Sequence, residues 1–151
     1  MESNSNNSTA AFINLSTLSQ YFIPFGNFIF PIIIWGANKA KSTYIDEQGK
    51  QTINFQLSLF LYTLILVMVA IPIVVIAFFN NISFDTFISN EEVLVENFDF
   101  SNMTAALTIA LCAIALLIAL KIAEFFLIIY ASLKTSNGDN FKYPFTIKFI
   151  K

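Results

Sequence analysis

The stretch "IDEQGKQTINFQLSLFLY" (residues 45–62) carries charged and amide side chains to the edge of a long apolar run. From Leu57 the chain continues without a charged residue through Phe79. About 20 apolar residues in a helix cross a hydrocarbon core of about 30 Å. The block 53–79 supplies them, so the stretch reads as a helix entering a membrane from a polar surface. Gln51, Asn54, Ser58 and Tyr62 fall at i, i+3, i+7 and i+11, which places them on one side of that helix. Asp46 stands where an N-cap or first-turn acid complements the helix dipole. Two readings of the polar stripe follow. It hydrogen-bonds a neighbouring span, or it walls a polar groove open to the cytosol.

Composition supports the membrane class. The 151 residues are 56% hydrophobic and 12% charged, with mean hydropathy +0.69, whereas a soluble domain is about a quarter charged. The length implies a single membrane domain over residues 10–151, preceded by a polar tail, 1–9, expected to be disordered. A net charge of −2 offers no basic footprint for nucleic acid. The chain has no histidine, the commonest general base and metal ligand. Its lone cysteine, Cys112, excludes an intrachain disulfide and reads as a small buried hydrophobe. No nucleophile–base pair, phosphate loop or metal set is present. The expectation is a non-enzymatic protein with no cofactor and no metal.

Outward from the opening stretch lie two further apolar blocks. Block 10–37 is interrupted by Pro24, Gly26 and Pro31 and ends near Trp35. It is too short for a hairpin of two full spans and reads as one span with a broken or interfacial first half. Block 103–133 is interrupted only by Lys121 and Glu124. The expected fold is therefore all-α, with three transmembrane helices. Lysines cluster in the first loop and the tail 134–151, while the N-terminal tail and the acidic loop 80–102 carry none. By the positive-inside rule the N-terminus lies outside and the C-terminus in the cytosol, in a bacterial inner membrane. Loop 80–102 is expected to form a short outer-face element, with partner docking as one role.

Three features invite a functional reading. Lys121 and Glu124, at i and i+3 near mid-span, form an intramembrane pair. It serves either as a proton or ion relay or as a neutralised structural pair. Ala115, Ala119 and Ala123 recur every fourth residue and make a helix-packing face. The tail interleaves Phe141, Tyr143, Phe145 and Phe149 with Lys142, Lys148 and Lys151 after a Gly138 helix stop. It reads as an interfacial anchor that contacts anionic lipid.

The segments "YIDEQGKQTINFQLS" and "SNGDNFKYPFTIKFIK" resemble the signatures of a family of small bacterial membrane proteins of unknown function. That family is described as similar to the twenty-kilodalton component of the chloroplast inner-envelope protein import machinery. The likeness rests on Asp46, Glu47, Gly49, Asn54, Phe55 and Gln56, then on Asn137, Gly138, Tyr143, Pro144, Ile147, Phe149 and Ile150. Thr17 departs from it, standing where a histidine is expected, and the acidic loop looks like an expansion. The resemblance implies a scaffold or accessory subunit of a larger membrane assembly, akin to an import component, with membrane lipids and other subunits or further copies as partners. Two alternatives stand beside it: an ion-coupled transporter or channel-like oligomer using Lys121 and Glu124, and a lipid-binding membrane-stress protein. The two segments are expected to meet at the inner face, with the Asp46–Glu47 turn packed near Lys142, Tyr143 and Pro144; Gly49, Gln51, Asn54, Gln56 and Ser58 complete the inner-face signature and polar stripe.

Overall fold

The computed structural model describes residues 2–81 and 100–151. Among the described residues the chain is helical and has no strand. Helix α1 spans Glu2–Ser16 and leads into a 3-10 turn, Thr17–Tyr21. Helix α2 spans Gly26–Asn38 and a second 3-10 turn Lys39–Lys41; α3 follows over Thr43–Asn81 and α4 over Phe100–Ser136. Two compact units divide the chain: a head formed by residues 1–61 and 120–151, and an apolar unit formed by 62–119. Helices α3 and α4 each contribute to both.

Among the described residues two helices, not three, are long and apolar enough to cross a membrane: α3 over Thr43–Ile76 and α4 over Leu107–Ser136. The expected spans 53–79 and 103–133 lie within the full helices, Thr43–Asn81 and Phe100–Ser136. Block 10–37 does not form a span. It breaks after Tyr21, and Phe25 takes the left-handed conformation at φ 61° before α2 begins. The 13 residues of α2 reach only about 20 Å at 1.5 Å per residue, short of the ~30 Å core. The reading of opposite-side termini came from the lysine distribution and agrees with an odd number of spans, not with the two candidates among the described residues.

In place of a span, the first block folds as a helical hairpin within the head. Ala11 O accepts from Ser132 Oγ at 3.4 Å, and Gln20 Nε2 donates to Glu124 Oε1 at 2.9 Å. The first limb therefore runs antiparallel to the end of α4. The second limb runs antiparallel to the start of α3: Asn27 Nδ2 donates to Gln56 Oε1 at 2.8 Å and Trp35 Nε1 to Asp46 Oδ1 at 3.0 Å. Phe22, at the reversal, is 88% exposed, and Phe25, Ile29, Ile32 and Ile33 are also exposed. Such an apolar outer surface suits lipid, which satisfies no backbone group but covers side chains.

Residues 2–9, expected to be disordered, form the first turns of α1. Ser8 and Thr9 bond back to the carbonyls of Asn4 and Ser5 at 2.9 Å each, and a Cβ on Gly138 would stand 2.8 Å from the Asn7 amide. The polar tail is thus ordered by local back-bonds and by a neighbour distant in sequence. The acidic loop lies outside the described residues, apart from the helical ends 80–81 and 100–102.

The head has a small apolar core: Phe55, Ile128, Ala131 and Tyr143, with Leu18, Leu59, Leu127 and Phe141 against it. Phe55 and Tyr143 stack at 4.1 Å between ring centroids, and Phe141 meets Tyr143 edge-on at 4.9 Å. In the apolar unit, Leu64, Ile65, Met68, Ile71, Leu111, Ile114 and Leu116 are exposed, as expected of a lipid-facing surface. Ala115, Ala119 and Ala123 are exposed too. Ala113 is the buried member of that stretch. Cys112 is exposed rather than buried, on an apolar groove it shares with Leu66, Val69 and Ala70.

Candidate functional site

Nearly all the polar side chains singled out in the sequence lie in the head. Their geometry begins with the end of α4. Asp139 N donates to Lys134 O and Gly138 N to Thr135 O, each at 3.1 Å, with Gly138 at φ 86°. These paired bonds around a left-handed glycine terminate the helix and satisfy its last carbonyls. They also turn the tail back along α3.

Asn54 then takes hold of the tail. Its Oδ1 accepts from Phe149 N at 3.1 Å and Ile150 N at 2.8 Å, and its Nδ2 donates to Ile150 O at 2.9 Å. One buried amide thereby replaces the partners that a strand neighbour would offer the irregular backbone. One turn further on, Ser58 Oγ accepts from Ile147 N at 2.8 Å. Nearer the start of α3, Tyr44 Oη donates to Asp139 O at 2.9 Å and Gln48 Nε2 to Asn140 Oδ1 at 3.3 Å. The two signature segments do meet, and the stripe of Asn54 and Ser58 is spent on the chain's own tail.

A second network centres on Asn14, which is 1% exposed. Its Oδ1 accepts from Thr52 Oγ1 at 2.6 Å and Tyr143 Oη at 2.9 Å, while its Nδ2 donates to Thr135 Oγ1 at 3.1 Å. Four segments are tied at one amide: α1, α3, α4 and the tail. Burial pushes the Tyr143 phenol well above its ordinary range, against a smaller opposing effect of the hydrogen bonding with Thr52. The phenol is a neutral donor there. None of Asn14, Thr52 and Thr135 was singled out from sequence, although Gln48, Thr52 and Gln56 recur every fourth residue as a second polar row.

Trp35 is held beside the start of α3. Its indole donates to Asp46, Asp46 pairs with Lys50 at 2.6 Å, and Lys39 Nζ sits 4.9 Å from the ring centroid. Gly49 is what allows the approach, since a Cβ there would overlap the indole Cδ1 and stand 2.7 Å from Cγ. Gln56, 1% exposed, accepts from Asn27, and its Nε2 has no partner among the described residues.

Lys121 and Glu124 do pair, at 2.8 Å. Glu124 is 1% exposed and its other oxygen is taken by Gln20, whose own Oε1 accepts from Lys121 at 3.2 Å. Lys121 keeps half its side chain exposed. The carboxylate is thus held by two donors, one of them from the hairpin. Gln51, Glu47 and Lys142 line an open cleft on the head, Asn137 and Pro144 are exposed positions of the tail, and no group of three or more metal-ligating side chains exists among the described residues.

Residues 5–150 match the magnetosome magnetite crystal formation protein family, and the chain belongs to that family. It is a small bacterial membrane protein, as the signature segments led us to expect; no likeness to the chloroplast import component is found. No curated protein and no solved structure matches the chain.

Proposed function

We propose that this chain is a non-enzymatic membrane accessory protein in magnetite crystal formation. Two helices anchor it in the bacterial inner membrane, and both termini face the cytosol. The family match over residues 5–150 carries the reading. Geometry adds that the side chains resembling catalytic or transport groups are consumed internally. Asn54, Ser58 and Asn14 hold the fold, and Glu124 is saturated by Lys121 and Gln20. With even spans, Lys39, Lys41 and Lys50 around the start of α3 share one side with the lysines of the tail, and the positive-inside rule assigns that side to the cytosol. Other subunits or further copies of the chain complete the assembly in which it acts.

The test is deletion in the magnetite-forming host, with crystals measured by electron microscopy. Deletion is expected to alter crystal number or size. The wild-type chain and the double variant Lys121→Gln/Glu124→Gln, which keeps hydrogen-bonding capacity without charge, are both expected to restore it. Unaltered crystals on deletion refute the reading. So does failure of the double variant at wild-type membrane levels, which is the outcome an ion relay requires.

A further inference from the structure

The open cleft of about 580 Å³ on the head has a charge balance that nothing in the fold requires. Glu47, Gln48, Lys50 and Gln51 from α3 form one wall, and Asn140, Lys142, Lys148 and Lys151 from the tail form the other. Lys50 is neutralised by Asp46. Lys142, Lys148 and Lys151 pair with no acidic side chain among the described residues, and Glu47 is the one acidic side chain in the lining. The amides of Gln51 and Asn140 add N–H donors that the latch does not use. Ammonium and amide donors converging on a concave surface of ordinary ligand-pocket size suit an anion with several acceptor oxygens.

Its position narrows the class of anion. The uncharged apolar run of α3 begins at Leu57, seven residues beyond Lys50, or about 10 Å along the helix. The headgroup layer on each face of a bilayer is about 5–8 Å deep. Beside the cleft, Phe145 is 88% exposed, with Phe149 exposed as well, as for aromatic side chains anchored at that level. We infer that the cleft between the start of α3 and the C-terminal tail binds a phosphate ester, the headgroup phosphate of an anionic phospholipid. The latch then has a second consequence: Asn54 pins residues 149 and 150 and Ser58 pins Ile147, which together hold Lys148 over the cleft.

The full-length protein in mild detergent is titrated with short-chain phosphatidylglycerol, phosphatidylcholine and glycerol 3-phosphate, and bound ligand is read by native mass spectrometry. Saturable binding of phosphatidylglycerol over phosphatidylcholine is expected. Lys142→Gln/Lys148→Gln should weaken it on the order of twentyfold, at about fivefold per lysine. Gln51→Leu, which leaves the charge unchanged, should weaken it severalfold. The charge-matched control Lys39→Gln/Lys41→Gln should leave it within about twofold, because those lysines lie outside the cleft. Helical content by circular dichroism serves as the check that each variant folds. Glycerol 3-phosphate binding as tightly as the lipid would assign the site to a soluble phosphate ester and overturn the lipid source. Equal weakening by the two lysine pairs, no effect of Gln51→Leu, or no saturable binding would overturn the site itself.

Discussion

Replacing Asn54 by leucine removes the grip on the tail at little cost in side-chain volume. Three hydrogen bonds are lost: from Phe149 N, from Ile150 N, and to Ile150 O. A typical intramolecular hydrogen bond contributes about 1 kcal/mol net, so the latch is worth about 3 kcal/mol. If the tail stayed docked, its part-buried backbone groups would lose their partners at up to about 1–3 kcal/mol each, so it releases instead into water. The expected result is local opening of residues 144–151 while α3 and α4 persist, because stability is distributed unevenly through a structure. Amide hydrogen exchange reads this directly. Protection at Phe149 and Ile150 should fall by about two orders of magnitude, the equivalent of about 3 kcal/mol. Amides in the middle of α4 should be unaffected. Wild-type protection at Phe149 and Ile150 in the variant would refute the latch. A cooperative loss of all helical protection would show that the tail and the helices form one unit, contrary to this reasoning.

Asn14→Leu deprives Tyr143 Oη and Thr52 Oγ1 of their shared acceptor; thermal unfolding should show a loss of about 3 kcal/mol, larger than that of any exposed polar substitution in the tail. Gly49→Ala forces a methyl into the Trp35 ring and should cost about 1–3 kcal/mol as overpacking, with a shifted emission from the sole tryptophan. Tyr143 has a folded pKa above its ordinary value of 10.0. The unfolded chain therefore gives up that proton first, and stability falls as pH rises past 10. Tyr143→Phe should be less stable at neutral pH by about 1 kcal/mol and show a shallower alkaline decline in chemical denaturation.

The helical membrane class was legible because an apolar run such as 57–79 has no other use at that length. The junction of the signature segments was legible too, from lysines that put both segments on one side and from the resemblance that marks both as signatures. Block 10–37 was misread for a physical reason. A re-entrant hairpin and a span both present Phe and Ile to lipid, so composition does not separate them. The difference lies at Phe25, where the backbone enters a left-handed conformation that sequence does not advertise for phenylalanine. Asn14 and Thr135 were missed because their partners lie 121 residues apart in the chain, and each alone looks like an ordinary helical residue. Ala115, Ala119 and Ala123 show the converse case: spacing alone identifies a smooth face without saying what packs there.

The two-span architecture is tested most directly by the sidedness of the chain ends. Short epitope tags placed before residue 2 and after residue 151 are probed with external protease in spheroplasts, whose outer membrane has been opened, and after the inner membrane is permeabilised. Two spans with a hairpin head predict that both tags are protected until the membrane is opened. Digestion of the N-terminal tag alone in spheroplasts would restore three spans and contradict the account.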